Sequence, residues 1–160
     1  MIDFFPLKEY KKVIKKIIQP TYSVDSVLDI SLESFRERGI ETLLFDVDNT
    51  LLSKKERLMN LDMLNWLEMA RSLGFNLYVI SNNSSRRRIF KVCKQGQLNG
   101  LYFSMKPLPF SIADLIKTHA LNTKTSVIIG DQVFTDIIAA NLLGTQSVLV
   151  VPLDKSFGDA

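Results

Sequence analysis

Leu43-Leu44-Phe45-Asp46-Val47-Asp48-Asn49-Thr50-Leu51-Leu52 is an apolar run that breaks abruptly into charge. Leu43, Leu44 and Phe45 have the continuous apolarity of a buried β-strand. Asn49 and Thr50 supply the polar residues at which strands end and chains turn. Asp46 and Asp48 sit two residues apart at that turn, where they repel each other unless a cation or a reaction employs them.

Working outward, apolar runs alternate with helical periodicity. Residues 42–47 form the first expected strand, followed by Leu61, Leu64, Trp66, Leu67 and Ala70 at helical spacing with Gly74 as a stop. Further strands are expected at 75–80, 101–103, 126–129 and 147–151. Helices are expected at 84–94, from Pro109 to about His119, and at 133–143 before Gly144. Alternation of this kind predicts an α/β fold with a parallel sheet covered on both faces. Residues 1–40 fall outside the alternation and are expected to form a helical extension packed on or near the core; 41–160 form the main domain.

Bulk composition narrows the class. A chain of 160 residues with 46% apolar and 23% charged residues suits one soluble globular domain. The single cysteine, Cys93, rules out an intramolecular disulfide framework, fits a reducing compartment such as the cytoplasm, and reads as a packing residue. No apolar stretch reaches the roughly 20 residues a membrane span needs, and no secretory signal is evident. His119, the only histidine, lies far from every polar cluster and reads as structural.

Ligands of open α/β sheets collect at the carboxyl ends of strands. Each polar candidate lies there: Asp46 and Asp48, then Ser81-Asn82-Asn83, then Lys106-Pro107, then Gly130-Asp131-Gln132 with Thr135-Asp136. That order of acid pair, serine, lysine and Gly-Asp resembles the four motifs of the haloacid dehalogenase (HAD) superfamily over about residues 42–151. More narrowly, it resembles the YqeG-type subfamily, to which the mitochondrial phosphatidylglycerophosphate phosphatases of fungi are similar.

The resemblance implies a HAD-type Rossmann-like three-layer fold with a five-stranded parallel sheet, ordered 3-2-1-4-5. It implies a Mg²⁺-dependent phosphatase in which Asp46 is the nucleophile and Asp48 the general acid and base. Lys106 would balance charge, and Ser81, the Asn82 amide and Thr50 would bind the phosphoryl group. Asp46, Asp48 (through its carbonyl) and Asp131 would hold the metal. Asp136 would orient a metal-bound water or Lys106, the reading preferred over that of a helix-dipole acid. An acid at position 48 favours phosphate esters, whose leaving oxygen needs a proton, over carbon–halogen bonds.

About ten residues separate Thr50 from Leu61, and about twenty separate Asn83 from Lys106, too few for a cap domain. An open site, with at most a flap at 53–57, suits a large phosphorylated substrate. Between Pro6 and Pro20, an apolar stripe faces Lys8, Lys11, Lys12, Lys15 and Lys16. Such a helix either packs on the sheet or lies on anionic lipid, so an anionic phospholipid at the inner membrane face is a candidate partner. No nucleic-acid partner is expected. Phosphatidylglycerophosphate is the leading substrate; a nucleotide or phosphoprotein phosphatase is the alternative. A receiver-type phosphoacceptor domain would place its third acid before the hydroxyl and lysine, whereas Asp131 follows both. The run Arg86-Arg87-Arg88 reads equally as a steering patch or a solvated face.

Overall fold

The computed structural model describes residues 7–154. Its elements run α1 (Leu7–Ile18), β1 (Tyr22–Val24), α2 (Leu32–Glu37), β2 (Thr42–Phe45), α3 (Leu61–Ser72) and β3 (Asn76–Ile80). They continue with α4 (Arg86–Gly96), β4 (Asn99–Leu101), α5 (Phe110–Thr118), β5 (Ser126–Gly130), α6 (Ile138–Leu143) and β6 (Gln146–Val150). All strand pairs are parallel, and the sheet order is β1-β6-β5-β2-β3-β4.

Among the described residues the sheet therefore has six strands, not five. Its five anticipated strands keep the anticipated order, and β1 adds itself beside β6 at the edge. Tyr22–Val24 is too short and too mixed to announce a strand. Its pairing is fixed by Thr21 and Ser147, each of whose backbone N–H donates to the other's hydroxyl at 3.1 and 3.0 Å.

Side-chain alternation along β2 divides the core in two. Leu43, Phe45 and Val47 join Phe35 of α2, Trp66 and Leu67 of α3, and Val92 of α4. Leu44 faces the other way, toward Ile112 and Ile116 of α5 and Ala139 and Ala140 of α6. Phe45 meets Trp66 edge-on with centroids 6.0 Å apart, a favourable aromatic geometry. Helices thus cover both faces of β2 and β5, and the strand ends are left to carry the chemistry. The stretch between Leu52 and α3 holds no further helix or strand, so this interval adds no cap domain among the described residues.

Helix α1 buries none of its side chains. Asn141 of α6 caps its end, the amide nitrogen donating to the carbonyls of Lys16, Ile17 and Gln19. Among the described residues no helix is long and apolar enough to cross a membrane.

Candidate active site

The ladder between β2 and β5 extends one residue past β2, with Asp46 N–H donating to Ile129 O at 2.9 Å. Asp46 therefore leaves the sheet at the same level as Gly130 and Asp131. A tight loop follows: Thr50 and Leu51 N–H both donate to Val47 O, and Asn49 takes a left-handed φ of +63°. Asparagine is among the few non-glycine residues that tolerate that conformation. The loop folds Thr50 back over the strand end, where its hydroxyl lies 3.4 Å from both Asp46 Oδ2 and Asp131 Oδ1.

Lys106 reaches the same point from the loop after β4. Its Nζ donates to Asp46 Oδ1 at 3.0 Å and to Asp136 Oδ1 at 2.6 Å, and the side chain is almost wholly buried. Burial alone would lower its pKa; the charges of Asp46 and Asp136 outweigh that and hold the ammonium's pKa above its ordinary value. Asp136 comes from a π-helical turn, Val133–Ile137, that leads into α6. Its Oδ2 accepts from the Gln132 amide at 3.2 Å, so both carboxylate oxygens are engaged. Its side chain also packs onto the Cα of Gly130, where a Cβ would collide with the carboxylate. Glycine at 130 is thus required by close approach, not by a turn.

Asp46, Asp131 and Asp136 each place one carboxylate oxygen within 4.8 Å of the others. Asp131 is pushed up to about 7, first by burial, then by the charges of Asp46 and Asp136. Asp136 is pushed up to about 6, by burial and then by Asp46, although Lys106 pulls the other way. Lys106 pairs with Asp46 and Asp136, which leaves the three-carboxylate cluster incompletely neutralised, and hard oxygen donors of this kind suit Mg²⁺.

The remaining anticipated residues line the same rim. Ser81 is buried, and its hydroxyl accepts from Asn83 N–H at 3.1 Å. The Asn82 side chain has a further part that its backbone amide does not exhaust, because it clamps the lysine loop. Its Oδ1 accepts from Lys106 N–H at 2.7 Å and from Ser104 Oγ at 3.0 Å, while its Nδ2 donates to Lys106 O at 2.8 Å. Asp48 lies beside the cluster, not inside it. Asn83 Nδ2 donates to its Oδ2 at 2.8 Å, and Arg88 Nη2 and Nε donate to its Oδ1 at 2.8 and 3.0 Å.

Arg88 and Asn83 had no individual role in the sequence. Arg88 also donates to Ser53 O and Glu56 O, which ties the 53–57 segment to Asp48. The triple-arginine run is therefore split: Arg88 turns inward, while Arg86 and Arg87 stay exposed. The one available signal was position, since the third residue of a helix's first turn can reach back across a strand end. His119 packs against Tyr78 with ring centroids 5.0 Å apart and planes tilted by 52°. Burial raises the pKa of the Cys93 thiol, which keeps it unreactive at neutral pH.

Comparison with known proteins agrees with this architecture. Residues 104–151 match the HAD-hydrolase-like family. The chain is 28% identical over 147 residues to "Probable phosphatase YqeG" of Bacillus subtilis, covering 91% of this chain and 84% of that protein. In fold it is similar to an uncharacterized protein from Listeria monocytogenes serotype 4b, with a TM-score of 0.60 and 16% identity over 74% of this chain and 84% of that one. It is also similar to the 3-deoxy-D-manno-octulosonate 8-phosphate phosphatase of Moraxella catarrhalis, solved with magnesium and phosphate ions. There the TM-score is 0.50, with 16% identity over 64% of each chain.

Proposed function

We propose that this chain, a HAD-like phosphatase by fold and sequence likeness, is a Mg²⁺-dependent phosphomonoester hydrolase that works through an aspartyl phosphate. The observation that carries the reading is the cluster of Asp46, Asp131 and Asp136, with Lys106 bridging Asp46 and Asp136. Asp46 and Asp131, with the Asp48 carbonyl, would hold the metal. When bound, Mg²⁺ supplies a Lewis acid that neutralises charge on the phosphoryl oxygens. Asp136, with both oxygens already engaged, positions Lys106 beside Asp46.

Asp46 attacks phosphorus, forming an acyl phosphate as the bond to the leaving oxygen breaks. Asp48, once it has left Arg88 and Asn83 and taken up a proton from solvent, gives that proton to the leaving oxygen. Asp48 then takes a proton from water, whose oxygen attacks phosphorus, releasing inorganic phosphate and restoring the Asp46 carboxylate. The Ser81 hydroxyl accepts from Asn83 N–H and keeps its own hydrogen to donate to a phosphoryl oxygen, an acceptor only, together with the Asn82 backbone amide and Thr50. Lys106 balances the charge that spreads over those oxygens. The open strand-end rim suits a large phosphate ester, and phosphatidylglycerophosphate is the substrate we favour, with nucleotide and phosphopeptide esters as the comparison.

A phosphate-release panel with Mg²⁺ tests the reading, using phosphatidylglycerophosphate in mixed micelles, nucleotides and phosphopeptides. Release that depends on Mg²⁺ and stops with EDTA is expected, fastest with the lipid. Turnover that survives chelation would overturn it.

The raised carboxyls also predict a pH dependence of stability. Asp131 and Asp136 start from an ordinary value of 3.8 and reach about 7 and about 6 in the folded chain. Between those limits the folded state holds protons that the unfolded state has released. Metal-free protein therefore loses stability as pH rises from about 4 to about 7. A bound cation favours the charged carboxylates and reverses the preference. Thermal melts in EDTA should show a lower Tm at pH 8 than at pH 5.5, and Mg²⁺ should raise Tm more at pH 8. A flat profile in EDTA would contradict the charge excess.

A further inference from the structure

Around Lys106 the chain sends alternate side chains to opposite destinations. Ser104 and Lys106 are 1% and 5% exposed, whereas Phe103 and Met105 are 56% and 49% exposed. The alternation is built into the backbone, since Phe103 and Met105 adopt φ of +50° and +62°. Bulky side chains avoid that left-handed region. A loop needed only to deliver Lys106 would place glycine or asparagine at both positions without strain. Here two large apolar side chains are held in solvent instead, a combination that accumulates at functional sites.

Phe110, at 74% exposed, and the exposed Tyr102 and Leu108 extend the same rim. Phe103 N–H donates to Asn83 O at 3.0 Å, so the rim abuts the turn that holds Asp48. Beside it, between α4 and β4, lies a cleft of about 740 Å³ lined by Arg86, Phe90, Lys94 and Tyr102, among others. No carboxylate lines this cleft among the described residues. Arg87 and Lys91 are exposed on the same helix.

We propose that this aromatic rim and its cationic flank dock the catalytic face onto an anionic lipid bilayer, which presents the substrate phosphate from its headgroup layer. Exposed aromatic and aliphatic side chains lower their free energy in the acyl–headgroup boundary. Arginine and lysine beside them are drawn to anionic headgroups, and this charge complementarity selects an anionic bilayer as the occupant. Contiguous apolar patches flanked by charge mark interaction surfaces, and this one borders the phosphate site directly. The inference rests on the phosphomonoesterase reading for its purpose and on the loop geometry for its surface.

Vesicle sedimentation tests it, comparing phosphatidylcholine alone with phosphatidylcholine plus phosphatidylglycerol at low and high salt. The wild-type chain should bind the anionic vesicles, and less so at high salt. The double variant Phe103→Asn, Met105→Asn keeps a tolerated backbone and should lose binding by about tenfold or more, with hydrolysis of a water-soluble aryl phosphate unchanged. Arg86→Gln with Lys94→Gln should reduce binding to the level seen on neutral vesicles. Absence of wild-type binding, or equal binding by the Phe103 and Met105 variant, overturns the proposal and points to a protein as occupant. Vesicle binding in a chain that hydrolyses no aryl phosphate supports the docking surface while overturning the catalytic reading.

Discussion

Asp46→Asn is expected to abolish phosphate release, with kcat falling by at least about 10³-fold, as when a nucleophile is lost from a unit that acts together. The substitution is nearly isosteric, so the circular dichroism spectrum should remain that of the wild type. Two further signs separate a lost nucleophile from a lost fold. Acid quenching of wild-type protein during turnover should trap phosphate on residue 46, and the variant should carry none. The charge of Asp46 is also one of the causes that push Asp131 up, so Asp131 should titrate at lower pH in the variant. Near wild-type turnover by Asp46→Asn would remove the mechanism outright. A phosphoryl label that persists through many turnover times in the wild type would instead favour a phosphoacceptor without hydrolysis.

The site was legible where chemistry and strand position coincide. Asp46, Ser81, Lys106 and Asp131 all follow apolar runs, and parallel topology carries every such strand end to one rim. Their partners were not legible, because contact across that rim is set by side-chain reach and not by spacing. Asn82 shows the difference: its amide position follows from the strand end, but its clamp on residues 104–106 requires a loop more than twenty residues away. Arg88 is similar, chosen from three adjacent arginines only by the angle at which α4 leaves Ser85, whose side chain caps the helix.

Two elements of the fold were displaced for physical reasons. The third anticipated strand lay at 101–103, yet β4 occupies Asn99–Leu101. Tyr102 and Phe103 have strong strand propensity, but the chain has left the sheet by then to turn Ser104 inward. Strand β1 was invisible because three residues carry no periodicity, and an edge position beside β6 supplies what the local sequence lacks.

Lys106→Met is expected to cost the metal-free protein about 3–5 kcal/mol at pH 8, the range for removing one partner of a buried ion pair. Methionine fills most of the volume, so the loss reflects charge more than packing. Lys106 stands between Asp46 and Asp136 with 1% of its side chain exposed, and the Asp136 side chain, also 1% exposed, has no water to replace it. Without the ammonium, Asp136 is driven to bind a proton, because burial already raises it and the Lys106 charge is the largest influence opposing that rise, ahead of the Gln132 N–H. Folded protein then holds protons the unfolded chain lacks, so the penalty should shrink as pH falls toward 5. Urea denaturation of wild type and variant at pH 5.5 and pH 8 measures that difference. Mg²⁺ should restore part of the stability at pH 8 by supplying the missing positive charge, yet phosphate release should stay at least about 100-fold down. A variant equal to wild type in stability at both pH values would mean that the cluster is hydrated and open, and that the lysine serves only as a surface charge.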